Sequence, residues 1–434
     1  MSIEYFHPEE CYGQDELSTL QSKRLAITLE KASSSSFYKQ KFAQEGLNVA
    51  DIRSVEDISR LPLTSKDDLR AHYPYGFLAR PVSELVRLHA SSGTTGTPTV
   101  IFHTQNDLNT WAGLVARCMY MVGVRPDDVF QNMSGYGLFT GGLGIHYGAE
   151  HLGCLTIPAG AGNSKRQIKL LSDFQVSVVH IIPSYALHLA TVFEGMGVDP
   201  KSLNLRIALI GAEPHSEEIR KRVEELYGLR AYNSYGLSEM NGPGVAFECP
   251  QQNGMHIWED SYIAEIIDPQ TLEPVPDGEI GELVLTTLTR ESMPIIRYRT
   301  RDLTRFIPGS CPCGRAHRRL DRIQGRADDM IILKGVNIYP LQVERVLMGI
   351  EEVGQNYRLI LERKGYMDQM RIQVEIKNEY FVEDMRILKD LERKITSQLR
   401  DEILVTPKVE LVEHNTLPNS EGKAERVLDL RFEE

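Results

Sequence analysis

The sequence predicts an α/β protein of two unequal domains, and three observations carry that reading. A strand, an amphipathic helix and a second strand follow one another within residues 207–237, the pattern of a βαβ unit. A run of small hydroxyl and glycine residues, 91–99, lies between two short apolar strands. Beyond residue 325 the chain turns to alternating strands and one long amphipathic helix, a compact α+β module of about 110 residues. Residues 1–325 and 326–434 are therefore expected as a large N-terminal and a small C-terminal domain.

Bulk properties narrow the function classes. The chain has 434 residues, 41% of them hydrophobic, enough for a substantial core. A formal net charge of −12 argues against a nucleic-acid surface, which needs clustered cations. The one basic cluster, Arg315, Arg318, Arg319, Arg322 and Arg326, reads as a solvated face or as help in holding a phosphorylated cofactor. No stretch approaches the ~20 apolar residues of a membrane span, and the acidic start lacks a leader pattern. Six unevenly spaced cysteines make no secreted disulfide framework. The expectation is a cytoplasmic, soluble protein without membrane or nucleic-acid partners.

Taken in order, residues 1–80 read as helical and irregular, with Leu17, Leu20, Leu25 and Leu29 at helical spacing before a serine break at 33–36. Leu61-Pro62-Leu63-Thr64-Ser65-Lys66 reads as a turn into a helix capped by Thr64 or Ser65, with no chemistry assigned to it. A strand at 85–89 leads through Ala90 into Ser91-Ser92-Gly93-Thr94-Thr95-Gly96-Thr97-Pro98-Thr99, and a second strand begins at Val100. Glycines let a backbone turn its N–H groups onto a ligand, and Ser and Thr add hydroxyl donors. Many donors without bulk or carboxylate suit a polyphosphate; the alternative is a surface linker, and the run is not a Walker A loop because no Gly-Lys-Ser/Thr closes it.

A helix is expected over 107–122. Ser134-Gly135-Tyr136-Gly137-Leu138-Phe139-Thr140-Gly141-Gly142 then sets glycines beside two aromatic rings, either a packing turn or a place where backbone and ligand meet. A buried strand at 178–182 stops at Pro183, and another at 207–210 runs into Gly211-Ala212-Glu213-Pro214. The helix after it has Ser216 as cap, Glu217 and Glu218 at its positive end, and Gly228 at its close. The next strand ends at Tyr235-Gly236-Leu237-Ser238-Glu239, so two loops fall at the carboxyl ends of neighbouring parallel strands, where ligands gather. Antiparallel strands are expected at 263–267 and 280–288. Arg297-Tyr298-Arg299-Thr300-Arg301-Asp302, Gly325-Arg326-Ala327-Asp328-Asp329 and a polar loop, Pro418-Asn419-Ser420-Glu421-Gly422-Lys423, complete the candidates.

These segments, in this order, resemble the adenylate-forming superfamily of acyl-CoA synthetases, luciferases and peptide-synthetase adenylation domains, and their wording is most similar to the phenylacetate–CoA ligase family. The resemblance covers nearly the whole chain. It implies a large domain of layered α/β subdomains and a small mobile α+β domain. It also implies an ATP-dependent, AMP-forming ligase that makes an acyl-adenylate from an aryl carboxylic acid and passes the acyl group to coenzyme A. Ser91, Ser92, Gly93, Thr94, Thr95 and Gly96 would then bind phosphates. Gly211, Ala212, Glu213 and Pro214, with Tyr235 and Gly236, would receive adenine; Asp302 would accept the ribose hydroxyls and Arg326 touch phosphate or ribose. Ser238 would lie near the α-phosphate and Glu239 hold Mg²⁺. Tyr136, Gly137, Phe139 and Gly141 would line the acyl pocket. Asp328 would be the hinge, with Asp329 a rival, and Lys423 the lysine that bridges carboxylate and α-phosphate. Arg301 stands where many relatives carry glycine, which questions the local backbone. A homodimer is usual for such proteins. The rival readings are an enzyme that loads a carrier protein and a non-catalytic nucleotide-binding regulator.

A metal site is suggested independently. Cys311-Pro312-Cys313 is too tight for an unstrained disulfide and suits half of a tetrahedral zinc site. Cys249 and His256 offer the other half, and His317 competes as a ligand. Four protein ligands would make that zinc structural.

Overall fold

The computed structural model describes residues 4–91, 98–333, 336–364, 367–381, 384–414, 416–417 and 426–431. Residues Ser92, Gly93, Thr94, Thr95 and Gly96 of the small-residue run, Lys334 with Gly335, and Lys423 with its loop lie outside the described residues.

Apolar strands flanked by helices build a nine-stranded sheet. Its parallel half runs in the spatial order Leu155–Ile157, Val129–Asn132, Val178–Ile181, Ile207–Gly211 and Arg230–Leu237. Val178–Ile181 and Ile207–Gly211 are buried along their whole length, as strands covered on both faces must be. From Arg230–Leu237 onward the sheet is antiparallel, through Gly242–Glu248, Met255–Ile257, Arg319–Leu320 and Phe306–Ile307. The helices Thr140–Leu152, Ser164–Asp173, Pro183–Met196 and Glu217–Tyr227 connect the parallel strands, and Gln105–Met121 precedes the first of them, Val129–Asn132. The expected caps are present: the Ser216 hydroxyl accepts the Ile219 N–H, and Gly228 closes that helix in the left-handed conformation. Pro183, whose ring fits the first helical position, opens the helix after its strand.

A second, antiparallel sheet orders Tyr262–Ile267, Gly281–Thr287, Tyr298–Thr304 and Gly325–Arg326. Its last pairing sets Asp302 opposite Arg326. Arg301 has φ 66°, so the chain does adopt there the left-handed backbone that glycine would favour. Arg87–Ala90 pairs with Val100–His103 and brackets the small-residue run.

The small domain holds a four-stranded sheet in the order Lys408–Val412, Met367–Ile376, Val353–Lys364 and Val427–Asp429. Its central hairpin, Val353–Lys364 with Met367–Ile376, is longer than the sequence suggested. Helix Met385–Ile403 lays Leu391, Ile395, Leu399 and Ile403 on it. One apolar cluster continues from Ile168, Leu189 and Val223 of the large domain to Val343, Leu359 and Ile395 of the small one.

The arginine cluster is not a solvated face. Arg315 is buried against Glu10 at 2.7 Å, Arg318 meets Glu259 at 2.6 Å and Arg322 meets Glu217 at 2.7 Å. Arg319 donates to the carbonyls of Asn253 and Gly309, and Arg326 pairs with Asp328. In an acidic chain these cations fold inward onto carboxylates and strand ends. Among the described residues no helix is long and apolar enough to cross a membrane.

Candidate active site

The carboxyl ends of the parallel strands bring the predicted segments together. Gly211 ends one strand, and a Cβ there would come within 2.4 Å of the Ser234 hydroxyl on the next. A Cβ on Gly236 would lie 1.9 Å from the Gly242 carbonyl, so tight strand pairing alone requires glycine here. Ala212 takes a left-handed turn at φ 69°, and the Glu213 Oε1 accepts the Ser184 N–H at 2.7 Å, tying this loop to the neighbouring helix.

Tyr235 is buried, and its hydroxyl donates to Asp302 Oδ2 at 2.6 Å. Arg326 Nη1 stands 3.7 Å from Asp302 Oδ1, while its guanidinium grips Asp328 with two hydrogen bonds of 2.8 Å. Burial pushes the Asp302 carboxyl up to about 6, against the pull of Tyr235 and Arg326. The ribose candidate, its aromatic neighbour and the proposed hinge thus form one chain of contacts.

The ends of the small-residue run are pinned together. The Ser91 N–H donates to the Thr99 carbonyl at 3.0 Å, and their hydroxyls hydrogen-bond. The Thr99 hydroxyl in turn points to Glu239 Oε1 at 3.4 Å. Glu239 is 5% exposed, with Arg290 donating to its main-chain carbonyl at 2.5 Å. Ser238 Oγ lies 3.2 Å from the Thr140 hydroxyl, which opens the helix of the predicted acyl segment.

Lys66 went unassigned in the sequence and stands in this cleft, its Nζ 3.9 Å from Glu239 Oε1. The preceding Thr64 exchanges backbone hydrogen bonds with Arg297 and Arg299, which carries Lys66 across from the N-terminal helices. The cap is Ser65, which accepts the Asp68 N–H. The available signal was a lysine in the first helical turn, where acids are the favoured charge.

On the acyl side, the Tyr136 hydroxyl accepts from Asn132 Nδ2 at 3.0 Å and meets His146 Nδ1 at 3.2 Å. His146 Nε2 lies 3.0 Å from Glu150. Burial raises the Tyr136 hydroxyl above its ordinary range. Asn132, His146 and Glu150 were not singled out in the sequence; the four-residue spacing of His146 and Glu150 on one helix was the only cue. Phe139 is half exposed and Gly137 has φ 110°. Gly141 lies in the first turn of the helix Thr140–Leu152.

Cys249, His256, Cys311 and Cys313 come together in a buried cluster whose ligand atoms all lie within 4.8 Å of one another. Two sulfurs each ~2.3 Å from a tetrahedral centre stand ~3.8 Å apart, and Cys249 Sγ and Cys311 Sγ are separated by 3.7 Å. Cys313 Sγ is 3.2 Å from His256 Nε2. The other ring nitrogen, Nδ1, donates to the His317 carbonyl at 2.8 Å, which leaves the Nε2 lone pair aimed at the sulfurs. Hydrogen bonding from Cys249, and next from His256, holds the Cys313 thiol well below its usual range. His317 is not a ligand: its Nδ1 accepts the Glu259 N–H at 2.9 Å and its Nε2 faces the Glu9 carbonyl at 3.0 Å. It contributes its backbone oxygen instead.

The AMP-binding enzyme profile matches residues 20–288, and the AMP-binding enzyme C-terminal domain profile matches residues 335–431. A phenylacetate-coenzyme A ligase of Pseudomonas putida is 45% identical, over 98% of this chain and 97% of its own. Its counterpart in Thermus thermophilus is also 45% identical, covering 98% and 99%. Among solved structures, a 2-hydroxyisobutyryl-CoA ligase in its postadenylation state superposes with a TM-score of 0.92 at 30% identity, covering 99% of this chain and 94% of that one. The thioesterification state of the same ligase, with its adenylate and CoA, gives 0.73 at 31% identity over 100% and 95%.

Proposed function

The chain belongs to the AMP-binding enzyme family, and from that premise we propose that it is an ATP-dependent ligase that joins phenylacetate to coenzyme A. The carboxylate attacks the α-phosphorus of ATP and expels pyrophosphate. The thiol of coenzyme A then attacks the acyl carbon, AMP leaves, and the thiol proton passes to solvent. The observation that carries this reading is the convergence of Asp302 with Tyr235, and of Glu239 with Thr99 and Lys66, at the strand ends beside the small-residue run.

In this reading Asp302 accepts the ribose hydroxyls and Tyr235 backs both the carboxylate and the adenine. Gly211, Ala212, Glu213, Pro214 and Gly236 shape the base site, Ser238 faces the α-phosphate, and Arg326 reaches phosphate or ribose. Glu239 is the carboxylate that would hold the Mg²⁺ accompanying ATP, supplying charge neutralisation at the phosphates. Lys66 adds a cation from the large domain to the polyphosphate, and Lys423 adds one from the small domain at the α-phosphate. Tyr136, with Gly137, Phe139 and Gly141 near it, lines the acid site. The cluster of Cys249, His256, Cys311 and Cys313 would hold a structural Zn²⁺, to which its thiolate and imidazole donors and sulfur spacing are suited. Cytoplasmic placement and a homodimer belong to the same proposal.

Domain alternation completes it. The small domain, turning about Asp328, presents Lys423 for adenylation and then moves to admit the thiol. The likeness to a postadenylation arrangement supports reading this structure as the first of those two states. The test mixes protein, ATP, Mg²⁺ and phenylacetate and follows pyrophosphate, then adds coenzyme A and follows thioester. Pyrophosphate and thioester together are expected. Pyrophosphate without thioester would indicate a carrier-loading enzyme, and neither product with any aryl acid would indicate a regulator.

A further inference from the structure

The two domains meet through a buried carboxylate that the ligase chemistry above leaves unused. Glu344 lies in the helix Pro340–Met348 of the small domain and is 6% exposed. Its Oε1 accepts the backbone N–H of Ser216, in the large domain, at 2.9 Å. Its Oε2 accepts the Tyr357 hydroxyl, within the small domain, at 2.9 Å. Ser216 is itself buried, and only His215 separates it from Gly211-Ala212-Glu213-Pro214, the loop assigned to the base. Two other polar contacts cross the boundary nearby, Arg222 to the Gly354 carbonyl at 3.3 Å and Arg345 to Gln324 at 3.2 Å. Both are longer, and neither engages a carboxylate.

Burying a carboxylate at a seam that must open is costly unless the seam itself is the purpose. The charged and titratable groups facing Glu344 are Arg426 and Tyr357 from the small domain and Glu213 from the base loop. Arg426 lies over the Tyr357 ring, 4.6 Å from its centroid, and favours the charged form, whereas Glu213 repels it. The contact is therefore satisfied geometrically and balanced electrostatically.

We propose that Glu344 is a latch on the small domain, holding it against Ser216 while the adenylate forms and letting go into solvent for thioester formation. This rests on the two-step reading of the ligase. The Ser216 N–H can reach Glu344 only when the helices Glu217–Tyr227 and Pro340–Met348 are packed together, as they are here. Any rotation that separates those helices hydrates the carboxylate.

A pH dependence follows. Burial pushes the Glu344 carboxyl up to about 7 in the latched state, over the opposing hydrogen bonds of Tyr357 and Ser216. A released, solvated glutamate returns to ~4.3. Latching thus takes up a proton: preference for the latched state is fullest below the released value and falls as pH rises through about 7. The change is at most about ten-fold per pH unit.

The experiment separates the half-reactions in the full chain, using pyrophosphate exchange into ATP for the first and pre-made phenylacetyl-adenylate with coenzyme A for the second. Fluorophore pairs on the two domains report the arrangement. Glu344→Ala is expected to lower exchange about ten-fold, as loss of a buried hydrogen-bonding group that leaves the Ser216 N–H unpartnered would, while thioester formation is unchanged or faster. Glu344→Gln should keep exchange near the wild-type level at pH 6 and lose the wild-type shift in domain distance between pH 6 and 8. If Glu344→Ala does not fold, the pH profile of Glu344→Gln decides. Equal slowing of both half-reactions, or a domain distance that responds to pH identically in wild type and Glu344→Gln, overturns the latch. Lys423→Ala run alongside tells the two failures apart: if it too damages both half-reactions, the alternation reading falls with the latch; if it damages only the first, the latch alone is lost.

Discussion

The Cys/His cluster and the nucleotide cleft are both gathered from distant loops, yet their donors are arranged for different ends. In the cluster each donor faces the others inside a buried shell, and the spare nitrogen of His256 is fixed by the His317 carbonyl. In the cleft the acidic groups hold partners they can exchange. Asp302 takes the Tyr235 hydroxyl and stands 3.7 Å from Arg326, and Glu239 stands 3.9 Å from a partly exposed Lys66. A closed donor set suits an ion that stays, whereas replaceable contacts suit a ligand that turns over.

The strongest way to break that contrast is to open the closed side. Protein purified without added metal should carry about one zinc per chain, and Cys311→Ser should lose it and melt earlier. Structural zinc contributes on the order of 10 kcal/mol in small zinc modules, so the change in melting should be the largest effect of all. Metal-free wild-type protein that melts as before would remove the structural reading.

The next test strikes the open side. Lys423→Ala should lose pyrophosphate exchange by ~10²–10³, the usual cost of removing a preorganised charge donor. Thioester formation from pre-made adenylate should stay near the wild-type rate. Lys66→Ala, removing a cation from the large-domain wall, should instead raise the KM for ATP about ten-fold, the loss of one charge-assisted contact. Its thioester half-reaction should be untouched. A Lys66 variant with unchanged ATP dependence would mean that Glu239 needs no cationic neighbour.

The smallest effect belongs to the acid site. Tyr136→Phe should cost ~0.5–1.5 kcal/mol, about two- to twelve-fold in kcat/KM for phenylacetate. Its hydroxyl already engages Asn132 and His146, so part of that cost should come from the disturbed network. A change in the KM for ATP with the acid unaffected would move Tyr136 out of the acid site.

Much of this was readable in the sequence where chemistry restricts residue type. Two thiols one residue apart have few uses, and strand, cap and glycine signals placed Gly211 and Glu239 at strand ends. Contacts made by ordinary residues across long separations were not readable. Lys66 reaches Glu239 only because Thr64 docks on the strand Tyr298–Thr304, and Glu344 meets Ser216 only because two helices from different domains pack. The arginines misled for the same reason, since their partners Glu10, Glu259 and Glu217 are far from them along the chain. The doubt over Arg301 was resolved by its backbone, which adopts the glycine-like turn with a long side chain attached.

The path of the chain through the cluster also ties distant elements together. Cys249 and Cys311 are 62 residues apart, and the stretch between them contains the strands Tyr262–Ile267, Gly281–Thr287 and Tyr298–Thr304. A metal joining its two ends would close that stretch into a loop and remove chain entropy from the unfolded state. An occupied cluster would therefore fasten Cys311 and Cys313, which follow those strands in the chain, back against Cys249 and His256. It would act as a clasp across the large domain, closed at the base of the stretch that carries the antiparallel sheet.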